Sequence, residues 1–215
     1  MIKHEKIKSL VQNLLKNHRV RLRISLFFGA IINLFYLLTN LVGALKYNSI
    51  WSATVTGYHL LFVVIRSYLL FYQKKGRVVR PRGVLLLRVG TFLLLIDLIT
   101  LFLMTYSLVL GQSTSYSGSL LICILIFTLY SLTISILGMK RGLNDNNPLH
   151  FAAKNLSLAA ALMSVFNLQF SLFSSIGIDL MLSKRLIALG GIFSFLFIAY
   201  LSCSLIAKGR RLSFR

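Results

Sequence analysis

The sequence predicts an all-α fold, a polytopic membrane bundle of six transmembrane helices, and three observations carry that prediction. Apolar residues make up 57% of the 215-residue chain and charged residues only 13%, about half the charged share of a soluble domain. Six apolar stretches have the length, ~20 residues, that a helix needs to cross the hydrocarbon core. The charges are gathered in short blocks between these stretches, with 24 Lys and Arg against four Asp and Glu.

Residues 1–23 read as a basic amphipathic interfacial helix. Ile7, Leu10, Val11 and Leu14 follow the i, i+3, i+4, i+7 rule, and Lys3, Lys6, Lys8, Lys16, Arg19, Arg21 and Arg23 supply the polar part. That pattern suits a helix lying in the headgroup plane. A disordered tail held near anionic lipid by charge alone is the alternative, and the regular apolar stripe disfavours it. The first apolar run is long, follows this basic stretch and ends in no A-x-A site, so it is expected to stay as a span rather than act as a cleaved signal.

Residues 24–207 form the six-span domain, with spans expected at 24–45, 51–72, 84–108, 120–139, 149–176 and 186–207. Residues 208–215 are expected to be a basic cytoplasmic tail. If both termini face the cytoplasm, eighteen Lys and Arg fall on that side. They are the seven above, Lys74, Lys75, Arg77, Arg80, Arg82, Lys140, Arg141, Lys208, Arg210, Arg211 and Arg215. Only Lys46, Lys184 and Arg185 fall outside. This asymmetry sets the orientation under the positive-inside rule. It makes the lipid bilayer, with anionic headgroups at the cytoplasmic face, the first expected partner. A net charge of +20 distributed this way is no nucleic-acid footprint, which needs a basic patch on a recognisable soluble module.

Cys123 and Cys203 lie alone in apolar runs, with no CxxC and no histidine at metal-ligand spacing, so no metal or other cofactor is expected. They read as small packing residues. No nucleophile elbow, phosphate-binding loop, HExxH or paired carboxylates occur, so no enzyme is expected. The segment Asn144, Asp145, Asn146, Asn147 and Pro148 reads as a turn and helix cap.

Within the spans, small and polar residues fall into stripes. Gly29, Asn33, Tyr36, Asn40 and Gly43 share one face of the first span, and Thr128, Ser131, Ser135 and Gly138 one face of the fourth. Lys154, Ser157, Ala161, Ser164, Ser171 and Ser174 do so in the fifth, with Asn167 beside them. Such stripes serve as packing glue between helices, or line a common polar interior.

Charges inside a span cost several kcal/mol unless paired, hydrated or able to snorkel. Arg66, Lys154 and Arg88 lie about 10, 8 and 6 Å from the cytoplasmic ends of their spans, within snorkelling reach. Asp97 lies about 20 Å deep and needs a partner or a proton. Arg88 is on the opposite face of the same helix. Arg66 and His59, seven residues apart on one face of span 2, are the candidates, giving an expected His59–Asp97–Arg66 cluster. The candidate ligand-binding set is Asn33, Tyr36, Asn40, His59, Arg66, Asp97, Lys154 and Ser157.

Tyr36, Leu37, Leu38 and Thr39 with Gly43 and Lys46 echo Tyr130, Ser131, Leu132 and Thr133 with Gly138 and Lys140, a hint of an inverted 3+3 repeat as found in transporters. The stretch from Asn147 through His150, Lys154 and Ser157 to Ser164 and Gln169, with Tyr58 through Arg66 to Tyr68, resembles a group of uncharacterised six-span membrane proteins of Gram-positive bacteria. That resemblance covers most of the chain after the basic helix and implies a bacterial cytoplasmic membrane, but no activity. The expected function is a small transporter or transport-associated protein with an anion-binding polar interior. The alternative is a non-catalytic partner subunit docking on a larger membrane complex or on anionic lipid, and a homo-oligomer or a membrane complex is the candidate protein partnership.

Overall fold

The computed structural model describes residues 18–74, 82–110, 118–140, 147–175 and 180–213, and these form six helices with no strand among them. They are α1 (His18–Tyr47), α2 (Ile50–Lys74), α3 (Arg82–Val109), α4 (Gly118–Lys140), α5 (Pro148–Ser175) and α6 (Leu180–Ser213). All six are long and apolar enough to cross a membrane, as expected for a membrane-spanning bundle. The interfacial helix expected over residues 1–23 lies outside the described residues up to residue 17. Residues 18–23 are the first turns of α1 itself.

Local chemistry sets the helix ends. Asn48 takes a left-handed conformation, φ 47°, which Asn tolerates better than most residues. Ser49 then caps α2, its Oγ accepting from the Ser52 amide at 3.2 Å. Asn147 caps α5 in the same way, with Oδ1 accepting from the Leu149 amide at 3.1 Å, and Pro148 fills the first helical position.

The helices alternate in direction, so α1, α3 and α5 begin, and α2, α4 and α6 end, on one face. Lys208, Arg210 and Arg211 mark it as the basic face. The expected tail is helical here: α6 continues through Ser213, and it starts early enough to take in Lys184 and Arg185. Its 34 residues span about 51 Å, well beyond a ~30 Å core. Packing holds this extension. A methyl group on Gly209 would lie 2.8 Å from the Leu87 amide nitrogen, and one on Gly90 2.9 Å from the Ser202 carbonyl oxygen. Glycine thus brings the α3 and α6 backbones together, as small residues do in membranes.

Helix α3 packs most extensively on α6 and α1 on α2, while α5 touches all five other helices. The buried residues of α5 include Ala152, Ala153, Ala159, Ala160 and Ala161, small enough to admit neighbours on every side. In each half of the chain the middle helix contacts both its neighbours, and each helix meets its counterpart, α1 with α4, α2 with α5 and α3 with α6. Helix α5 also reaches α1 and α3, whereas α2 meets neither α4 nor α6 among the described residues. The two echoed segments differ in setting too, since Tyr36 is buried and Tyr130 is exposed. Cys123 and Cys203 are both exposed on the bundle perimeter, so neither serves as a packing residue.

Candidate functional site

The polar stripes of α1, α4 and α5 face one another and, with α2, build one polar column across the bundle. At the end far from the basic face, Trp51 of α2 is fully buried and stacks on Phe170, ring centroids 4.6 Å apart. Its Nε1 donates to Asn167 Oδ1 at 3.1 Å, and Asn167 Nδ2 donates to Asn40 Oδ1 at 3.2 Å. Asn40 Nδ2 donates in turn to the Tyr36 carbonyl at 2.8 Å. The Tyr36 hydroxyl bonds with the Thr128 hydroxyl, which also reaches the Ser164 carbonyl at 3.3 Å. These bonds tie α1, α2, α4 and α5 together where each side chain would otherwise be unsatisfied in an apolar setting.

One turn nearer the basic face, His59 stacks on Tyr36, centroids 4.6 Å apart and planes within 11°. Its Nδ1 lies 3.4 Å from Asn33 Oδ1. Arg66 follows on the same face of α2 and is 4% exposed. Its guanidinium lies against Gly29, where a methyl group would overlap it, and its Nη2 donates to Ser157 Oγ at 3.1 Å. Ser157 Oγ donates to the Ala153 carbonyl at 2.9 Å, and Ser135 Oγ to the Ser157 carbonyl at 2.9 Å. Arg66 does not snorkel, since it is buried rather than extended to the surface. Asn33 Nδ2, His59 Nε2 and Arg66 Nε, all buried, have no hydrogen-bond partner.

Two adjoining cavities open below these groups. One, about 350 Å³, has Asn33, Arg66 and Ser157 in its wall together with Ser131 and Ser135 of α4. The other, about 250 Å³, continues toward the basic face past His150, Lys154 and Gly138. Ser25, Ile134, Ser135 and Ser157 belong to both. The arrangement is a polar floor holding one buried guanidinium, with a second cation, Lys154, on the path to the basic face.

Seven of the eight expected site residues therefore belong to one column: Asn33, Tyr36, Asn40, His59, Arg66, Lys154 and Ser157. Asp97 does not. The expected His59–Asp97–Arg66 cluster is absent: Asp97 is buried, its Oδ2 has no hydrogen-bond partner, and no ion pair joins it to Arg66 or His59. The reason is helical phase. His59, on α2, turns to α1, stacked on Tyr36 and 3.4 Å from Asn33, and Arg66 turns to Gly29 and Ser157, so neither side chain is left for Asp97. The Tyr58 hydroxyl is likewise buried without a partner. Arg88 is exposed on α3, away from both groups. Sequence reasoning missed Trp51, which opens a span like any interfacial aromatic, and Tyr58.

Compared with known proteins, the chain matches no family model, no curated protein and no solved structure.

Proposed function

We propose that this membrane bundle is a small transporter or transport-associated protein whose interior binds an anion, and that it works by binding rather than by catalysis. The observation that carries the reading is Arg66. A guanidinium keeps its charge in any protein setting, and Asp97, the one carboxylate among the described residues, does not pair with it. A buried cation without a counter-anion is costly, and here it borders a cavity that Ser157 and Asn33 also line. An anionic ligand would supply the missing charge and accept from the unpaired Arg66 Nε and Asn33 Nδ2. The eighteen-to-three distribution of basic residues in the sequence favours a cell membrane with the basic face and both termini in the cytoplasm. Lys154 would then draw anions from that side.

The test is thermal unfolding of the purified protein in neutral detergent, with chloride, acetate or inorganic phosphate added at constant ionic strength. At about 100 times its dissociation constant a ligand adds about 2.7 kcal/mol, a shift of a few degrees for a chain of this size. One of these anions should raise the midpoint of the wild type and not that of Arg66→Gln. If neither these anions nor an alkyl phosphate stabilises the wild type more than Arg66→Gln, the anion reading falls. Flux of the same anion into proteoliposomes separates transport from binding alone.

A further inference from the structure

We infer that the ligand of this cavity is an amphiphile with an anionic head, of the class of alkyl phosphates and anionic lipids, which slides in from the bilayer between α1 and α4. The inference rests on the anion reading above and adds the apolar half of the ligand and its route.

The wall of the larger cavity is divided in two. Its floor is Asn33 and Arg66, 3% and 4% exposed. Its sides are Ile24, Phe28 and Ile32 of α1 and Tyr130 and Ile134 of α4. Several of these belong also to the outer surface, with Phe28 53% and Tyr130 46% exposed. A cavity whose side walls are perimeter residues and whose floor is a buried cation reaches from the lipid to the guanidinium. The two helices meet in their far halves, where the Tyr36 hydroxyl donates to the Ile124 carbonyl at 3.3 Å. In the basic half the cavity separates them.

Ligand chemistry follows from this division. A small hydrated anion would leave the long apolar sides facing water, whereas an alkyl chain already dissolved in lipid moves along them with no new dehydration. A neutral amphiphile would leave Arg66 without a counter-charge. A phosphate head suits the planar guanidinium, which binds it through paired N–H donors. Gly29 keeps the guanidinium at the cavity floor, because any side chain there would displace it.

The experiment uses the full chain in neutral maltoside detergent and a dodecyl phosphate carrying a photoreactive diazirine at the tail end. After irradiation, labelled peptides are mapped by mass spectrometry. Labelling should concentrate on residues 24–32 and 130–135, and unlabelled dodecyl phosphate should compete while excess maltoside should not. Arg66→Gln should weaken that competition about tenfold or more, the size expected for losing a charge-assisted pair, and Arg66→Lys should retain most of it. Labels spread evenly over the exposed faces of all six helices, or competition unaffected in Arg66→Gln, would overturn the inference. Inorganic phosphate in the unfolding assay distinguishes the two levels. Phosphate that stabilises wild type but not Arg66→Gln, together with even labelling, leaves the anion reading standing and removes the amphiphile. No stabilisation by phosphate or dodecyl phosphate removes both.

Discussion

Two buried polar residues in this protein have opposite standing, and mutation should separate them. Asn167 receives a hydrogen bond from Trp51 and gives one to Asn40, so Asn167→Leu removes both bonds and strands the buried Trp51 N–H, at about 1–3 kcal/mol. Asp97 Oδ2 is buried but unbonded, so Asp97→Asn breaks no hydrogen bond there. We expect Asn167→Leu to lower the unfolding midpoint in detergent by several degrees and Asp97→Asn to leave it unchanged or raise it. A double-mutant cycle of Asp97→Asn with Arg66→Gln should show no coupling, the two changes adding within a few tenths of a kcal/mol. A coupling above about 1 kcal/mol would mean that the carboxylate and guanidinium interact after all.

At the scale of helices, the α3–α6 pair depends on glycine where the backbones come closest. Gly209→Leu would drive a side chain into Leu87 and the Gly83 carbonyl, an overpacking expected to cost about 1–3 kcal/mol or more. Gly57→Leu is the matched control, because a Cβ at Gly57 meets nothing within 4 Å. Thermal unfolding of both variants checks the contrast, and equal midpoints would mean that α3 and α6 are not held by this contact. The same reasoning shows what could be read from helix periodicity. Asn33, Tyr36 and Asn40 were legible as one stripe because their spacing is helical, and all three are buried. Which neighbour each stripe meets was not legible. Tyr58 and His59 are adjacent in sequence, yet the Tyr58 ring packs on Phe62 of its own helix and His59 stacks on Tyr36 of α1.

For the whole molecule, the charge asymmetry yields a prediction independent of any ligand. Cysteine placed at Gly76 should resist an impermeant thiol reagent in intact cells, and cysteine placed at Ser115 should react, in a background with Cys123 and Cys203 changed to Ala. The opposite pattern would invert the bundle, put Lys154 toward the outside and reverse the proposed direction of anion capture. The connected column also makes the four helices α1, α2, α4 and α5 one polar unit, beside which the α3–α6 pair is joined mainly through apolar and glycine contacts.

The sequence by itself determined the class of this protein: six apolar runs of spanning length, few charges, and basic blocks between them leave a helical membrane bundle as the outcome, because only closed backbone hydrogen bonding survives in lipid. It also determined the polar faces of α1, α4 and α5, since a face follows from spacing along one helix. Tertiary structure alone decided that these faces meet, that Arg66 turns inward over Gly29 to Ser157, and that Asp97 stands apart from the column. Helical periodicity fixes angles within a helix, whereas the rotation and neighbours of each helix come from packing against the others, and one residue of phase separates a charged pair from two unpaired groups.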